Sequence, residues 1–461
     1  MIALTQIFAL ALLSVYKLRW ALLLFIFLLA FSPRTAAISL GGEGLALTFQ
    51  RVASILFILY LFVASVIKGS VRSRVSGLIG HNVLFAIVAL LVLVKFTVTI
   101  SNGGNKYLFY VLDDAILSIG IFLFVACYIN SKQQLHNVFL AIIASVVVSG
   151  LLGVYELTLS RPLLSNFYTV TVKATDSALV GSTRDGVYRL QVFFDNPLSL
   201  AELAVYALPL SLYGFFVFKG KYKLLSLAGI AASLFLAFGS GARSALIAGS
   251  ASVFVFTMVH YWWRMTVMTR FLMQFIFAVI FAFALVQAFD IIYTLGGLAE
   301  QGDFFRYDDS ERSSLSRARQ FFEVGAELVK SNYMGIGFRQ NFAQELDELS
   351  KLDNYYLRLL LEGGVFALFL FLSALFVFYR KVIKYIRLTN NTVSRRLGAV
   401  LLSFIVGFVI MKLFVSMPGN NVYFYIMAGV YFGYMHGLKG VAKPNSKKAH
   451  IDSEKGRQFC G

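Results

Sequence analysis

Of 461 residues, 59% are hydrophobic and 16% aromatic while only 14% are charged, which excludes a soluble domain with a polar exterior. The formal net charge of +18 collects in alternate loops between apolar runs, so it reads as membrane topology and attraction to anionic headgroups, with no nucleic-acid partner. The two cysteines, Cys127 inside an apolar run and Cys460 in the tail, offer neither a disulfide pair nor a metal spacing.

In chain order, segment 3–15 is too short to span a bilayer and no small-residue cleavage site follows it, so an attached interfacial or re-entrant arm is expected. Apolar runs of roughly 17–24 residues then recur, each long enough to cross about 30 Å of hydrocarbon as a helix. The expected spans are 18–32, 50–67, 82–100, 107–129, 135–156, 197–218, 222–239, 243–262, 270–290, 356–379, 397–417 and 420–438, about twelve in all. The fold class is therefore an all-α integral membrane protein of about twelve transmembrane helices with two long loops.

The organisation follows. Helices occupy 1–156, a first long loop 157–196, central helices 197–290, a large loop 291–355, C-terminal helices 356–438 and a basic tail 439–461. Lys68, Arg72 and Arg74, then Lys219, Lys221 and Lys223, Arg264 and Arg270, the run from Arg380 to Arg396 and the tail after Lys439 mark the cytoplasmic side, and both long loops face away from it.

Loops of that length are commonly functional. The second carries close to half of the acidic residues and contains an amphipathic helix, with Ala318, Phe321, Phe322, Gly325 and Val329 on one face and Arg317, Gln320, Glu323, Glu327 and Lys330 opposite. It is read as a lid packed on the bundle, with direct participation in chemistry as the alternative. Gly335-Ile-Gly337 is expected to break that helix and turn the chain. Charges within the spans, namely Lys95, Asp113, Asp114, Glu156, Glu202, Glu362 and Lys412, fall in the outward half and predict a polar cavity open to the outside; structural ion pairing is the competing reading.

Four neighbourhoods share an order and spacing: Arg189-Leu-Gln-Val192-Phe-Phe-Asp195-Asn196-Pro197; Gly241-Ala-Arg243-Ser244; Arg319-Gln-Phe-Phe leading to Asn332-Tyr-Met-Gly335-Ile-Gly337; and Asp353-Asn354-Tyr-Tyr356-Leu357 before Glu362-Gly363-Gly364. Together they resemble the O-antigen ligase/polymerase superfamily, closely over 185–375. Two positions depart from the family pattern: Val192 stands where glycine is usual, and Asp353 where ligases carry a histidine. All five histidines, His81, His136, His260, His436 and His450, fall on the cytoplasmic side, so none substitutes for it. The Asp-Asn form resembles the polymerases.

The resemblance implies a glycosyltransferase of GT-C-like architecture, a Wzy-type O-antigen or exopolysaccharide polymerase in the bacterial inner membrane with its active face periplasmic. Its implied substrate is a polyprenyl (undecaprenyl) diphosphate-linked glycan. Membrane lipids, chain-length-regulator proteins and flippases are the other implied partners, and no metal or cofactor is implied. A ligase acting on lipid A core, and a flippase or other transporter, are the alternatives. Arg189, Arg243 and Asp353 are the candidate catalytic residues; Asn354, Tyr356, Arg319, Arg339, Asn196 and Glu202 are candidates for substrate binding. Independently of the family, Arg189, Arg243 and the Asp353-Asn354 pair sit at helix starts, where amide donors and the positive dipole end favour a phosphate. Interface anchoring for the arginines and plain helix capping for Asp353 are the alternatives.

The expected topology is tested by reporter fusions: one after Gly302 should be active only as an extracytoplasmic reporter, and the opposite result removes the proposed face of the site.

Overall fold

The computed structural model describes residues 6, 17–32, 37–39, 46–80, 82–104, 107–163, 182–184, 186–194, 196–261, 266, 268, 309–338, 352, 354–389, 392–416 and 420–441. Within them the chain is mostly helical, with two short antiparallel hairpins, β1 (Ala37–Ser39) with β2 (Ala46–Thr48) and β3 (Ser182–Arg184) with β4 (Val187–Arg189). The helices are α1 (Leu18–Leu28), α2 (Phe49–Ile67), α3 (Gly69–Gly80), α4 (Val83–Ser101), α5 (Leu108–Ala115), α6 (Ile121–Tyr128), α7 (Lys132–Leu159) and α8 (Pro197–Val217). They continue as α9 (Lys221–Gly239), α10 (Arg243–Tyr261), α11 (Asp309–Lys330), α12 (Tyr355–Leu388), α13 (Thr392–Phe414) and α14 (Asn421–Val441).

Eight of them, α2, α4, α7, α8, α9, α10, α12 and α13, are long and apolar enough to cross a membrane, consistent with an all-α integral membrane protein. Hydrocarbon offers the backbone no partner, so a crossing segment must satisfy its own N–H and C=O groups, which a helix does. Local sequence sets where several begin: Thr48 caps α2, Asn82 caps α4, and Ser131 with Gln134 forms a capping box at α7. The expected span 107–129 is realised as α5 and α6 joined by a π-helical turn, Ile116–Gly120. The expected span 270–290, the arm 3–15 apart from Gln6, and the tail beyond 441 lie outside the described residues.

The centre of the bundle is α8 and α13, buried on nearly every face. Around them pack α9 and α10 on α8, and α12 on α13 and α4. Small residues let α10 and α13 approach closely: Ser252 Oγ donates to Ser403 O at 3.0 Å, and Gly407 faces Ser252 and Val205. At one end, Phe216 stacks on Phe256 and His260, and Arg396 Nη1 donates to Phe216 O at 2.7 Å. This gathers the ends of α8 and α10 with the start of α13 on the side of the basic loops. Arg74 of α3 donates there to Ile129 O, Ala126 O and Gly433 O, capping α6.

At the opposite end, Glu202 and Lys412, both fully buried, pair at 2.7 Å. Asn420 Nδ2 donates to Glu202 Oε2 at 2.5 Å and to Ser199 O at 3.2 Å, and Tyr206 OH to Glu202 Oε1 at 3.3 Å. A second buried group joins α4, α5 and α12: Lys95 bridges Asp114 and Glu362, each at 2.7 Å, and Arg358 reaches Glu362 at 2.6 Å. The expectation that these charges line an open cavity is therefore corrected. An ion in low dielectric is stabilised most by an opposite ion at contact distance, and these helices supply one.

The lid helix is corrected as well. Among its described side chains Gln320, Val324 and Leu328 are buried along one helical stripe, and Val324 and Leu328 meet Leu357 and Leu361 of α12. Phe321, Phe322 and Val329, expected inside, are exposed, and Val324 and Leu328 pack on Leu357 and Leu361 in their place.

Lys412→Met should strand the Glu202 carboxylate and cost about 3–5 kcal/mol, read as a lower thermal midpoint of the detergent-purified protein. Adding Glu202→Gln should recover most of the loss; a double variant as unstable as the single one would mean that the ion pair does not hold this end together.

Candidate functional site

The last turn of α7 carries Glu156, fully buried. Its carboxylate accepts from Gln191 N at 2.9 Å, Tyr188 OH at 3.0 Å and Leu163 N at 3.4 Å. These donors replace lost water, and they tie both flanks of the first long loop to one point. Burial, together with the adjacent carboxylate, raises the Tyr188 phenol above its ordinary pKa, so Tyr188 stays a donor.

From this anchor the chain runs to the α9–α10 turn. Leu190 N donates to Gly239 O and Arg189 Nε to Ser240 O, both at 2.8 Å. Gly241 has φ of +63°, and a Cβ there would sit 3.2 Å from Arg189 Nε, so the absent side chain leaves room for the arginine. Arg243 is the first residue of α10 and is exposed. Arg189 and Arg243, distant in sequence, are thus brought to one turn.

Val192 has φ of +52° and is fully buried. Its backbone follows the left-handed path that glycine takes freely, at a cost of about 1–3 kcal/mol. Burying the side chain offsets this by about 1.5–3 kcal/mol, which explains how the departure from glycine at this position leaves the path of the segment intact.

Asn196 caps α8, accepting from Leu198 N at 2.8 Å ahead of Pro197 at the first helical position. Asn354 caps α12, accepting from Tyr356 N at 2.8 Å and Leu357 N at 3.2 Å. Tyr356 OH donates to Val409 O at 3.0 Å, and Lys412 Nζ lies 5.4 Å from the centre of the Tyr355 ring. The starts of α8, α10, α12 and α14 therefore gather at one end of the bundle around the close of α13. The expectation of free amide donors at α8 and α12 is corrected, since the cap side chains occupy the amides of Leu198, Tyr356 and Leu357.

Of the remaining candidates, Glu202 sits inside its ion pair with no solvent exposure. Arg319 lies on α11 with its side chain outside the described residues, as Asp353 and Arg339 are entirely. Among the described residues no group of three or more His, Cys, Asp or Glu assembles that could hold a metal ion.

Sequence reasoning missed Arg358 and the break it precedes. Within α12, Gly363 (φ −151°, ψ 18°) and Gly364 (φ 67°, ψ −164°) leave helical geometry. The freed groups are taken by residues 333–336: Ile336 N donates to Leu361 O at 2.8 Å and Val365 N to Tyr333 O at 3.1 Å. Phe338 N donates to Thr99 Oγ1 at 2.9 Å, and the Phe338 ring lies 5.6 Å from the Arg358 guanidinium and 5.9 Å from Lys95 Nζ. The chain leaving the lid helix is thus a strap wedged into a notch beside the Lys95–Glu362–Arg358 group. The Arg358/Glu362 spacing of four, immediately before two glycines, was the available signal.

Residues 228–372 match the family model described as O-antigen ligase. The match bears out the resemblance to the O-antigen ligase/polymerase superfamily. It runs from within α9 to within α12, so it contains Arg243, the lid helix, the strap and the notch, while Arg189 precedes it. Members of that family are glycosyltransferase-like enzymes of the ligase or polymerase type, and the apolar helices agree with a multi-pass membrane protein. No curated protein matches the chain.

Gly335→Ala should unseat the strap, because its Cβ would lie 2.6 Å from Gly364 N and 2.7 Å from Leu361 O. Gly325→Ala, with open space around it in mid-helix, should be neutral or stabilise by up to about 1 kcal/mol. Limited proteolysis between 331 and 338 checks this: faster cleavage only in Gly335→Ala is expected, and equal rates would mean that the notch does not hold the strap.

Proposed function

We propose that the chain is a polysaccharide polymerase that transfers glycan from one polyprenyl diphosphate to the end of another at the periplasmic face of the bacterial inner membrane. The observation that carries this reading is the Arg189 side chain bonded to the very turn that opens α10, with Arg243 exposed at the first position of that helix. Two guanidinium groups beside a helix start suit a diphosphate, which each can grip with parallel hydrogen bonds.

In the proposed step an acceptor hydroxyl attacks the anomeric carbon of the donor glycan. The new glycosidic C–O bond forms as the bond to the diphosphate oxygen breaks, and the diphosphate departs with the electron pair. Arg189 and Arg243 stabilise that charge as it develops. The hydroxyl proton passes to the Asp353 carboxylate, which directly precedes the Asn354 cap of α12. Arg319 and Arg339 are proposed to contact glycan or phosphate from the large loop, and Asn354 and Tyr356 to shape the site through the start of α12.

A ligase reading is favoured by the description of the matching family; aspartate at 353 in place of the ligase histidine favours the polymerase. In a deletion strain, surface glycan of one capped repeat supports a polymerase, and no surface glycan supports a ligase. A transporter would use a broken helix to present backbone groups to its cargo. Here the α12 break gives those groups to the strap.

Arg189→Lys and Arg243→Lys should each lose most polymer at normal membrane level, because a point charge does not reproduce a forked donor. Asp353→Asn keeps the size of the side chain and leaves the Asn354 cap of α12 in place while removing the base, so turnover by the purified protein should fall by roughly 10²–10⁴-fold. Near-normal turnover of Asp353→Asn would leave the mechanism without a base, since the cap of α12 is Asn354 and not Asp353.

A further inference from the structure

Helices α9 and α10 both pack along α8 but scarcely touch each other. Between them lies a cavity of about 410 Å³ with almost wholly apolar walls. Leu208 of α8 is part of its floor, Ala237 and Phe238 form one wall at the last turn of α9, and Ala245, Gly249 and Val253 form the other along α10. Gly249 helps to leave the gap open: a methyl group there would meet nothing nearer than Leu208 Cδ2, at 3.7 Å. Leu234 and Phe238, among the lining residues, are exposed, so the crevice has an open side toward the bilayer.

Its top is the Ser240–Arg243 turn against which Arg189 rests. At about 1.5 Å per residue, 245 to 253 descends about 12 Å, less than half of a hydrocarbon core of about 30 Å. A permanently cationic mouth above an apolar slot that opens sideways into lipid has the shape and charge of one ligand class, an anionic head on a long hydrocarbon chain. We infer that this crevice takes the head-proximal stretch of the donor's polyprenyl chain, the remainder lying in the bilayer. The inference rests on the reading above for the identity of the head group, and on the cavity for the path of the chain. Entry of the first isoprene units would orient the diphosphate under Arg189 and Arg243, so the slot sets where the anomeric carbon is presented.

The test measures binding to the purified full chain in lipid nanodiscs, with undecaprenyl diphosphate and inorganic diphosphate as probes. Gly249→Leu fills the slot from a helix position where a larger side chain is sterically free at Cβ, and Gly249→Ala leaves most of it open. Gly249→Leu should weaken undecaprenyl diphosphate by at least about tenfold, the scale of a blocked apolar pocket, and leave inorganic diphosphate unchanged; Gly249→Ala should change neither. Thermal midpoints equal to wild type exclude misfolding as the cause. Unchanged undecaprenyl diphosphate affinity in Gly249→Leu overturns the inference, as does an equal loss for inorganic diphosphate. Native mass spectrometry showing a two-chain phospholipid displaced by Gly249→Leu, with polyprenyl affinity intact, also overturns it. Crevice-dependent binding without polymer formation would instead overturn the polymerase reading and leave the lipid slot in place.

Discussion

The buried pair between Glu202 and Lys412 is the constraint on which the rest of the site-bearing end depends. In a low dielectric neither charge is tolerable alone, so α8 and α13 have one rotation and one axial register in which both are satisfied. Asn420 completes the carboxylate's shell from the start of α14, and the Lys412 ammonium lies over the Tyr355 ring at the start of α12. One ionic contact thereby aligns four helices and fixes where their ends lie.

The loops inherit their positions from that frame through a few polar contacts. Glu156 holds both flanks of the first long loop with three donors, and the segment continues to the α9–α10 turn, where Arg189 is tied to Ser240. The geometry is specific enough that Val192 is held in a left-handed conformation to keep the path. Backbone strain at a position leading into an arginine of the candidate site is a common cost of placement.

The second loop is held by a different device. A helix interior exposes no hydrogen-bonding backbone, so nothing can be laced into it unless it is broken. Gly363 and Gly364 open α12 for two residues, and Gly335 approaches closely enough to let the strap exchange hydrogen bonds with the freed groups. The lid helix is thereby coupled to the segment of α12 that carries Asn354 at one end and Glu362 at the other. The Phe338 ring lies against both Lys95 and Arg358, so the strap also touches the buried Lys95–Glu362–Arg358 group.

By itself the sequence determined the helical class, most of the helix positions, the start of α8 at Pro197 and the turn that opens α10 at Arg243; at α12 it offered Asp353 as the cap, where the structure has Asn354. These are legible because lipid forces backbone satisfaction to be local and because caps act within three residues. It also carried the family resemblance through motifs of short range. Only the tertiary structure decided that Glu202 pairs with Lys412 and Lys95 with Asp114 and Glu362, that the lid docks through Val324 and Leu328 with Phe321 and Phe322 outside, and that the α12 break is filled by the strap. Each of these depends on the distance and rotation between helices far apart in the chain, a quantity that periodicity and hydropathy do not encode. Arg189 shows the division: its type and place in a motif were readable, but its bond to Ser240 exists only because Glu156 and the α9–α10 turn are folded to the same point.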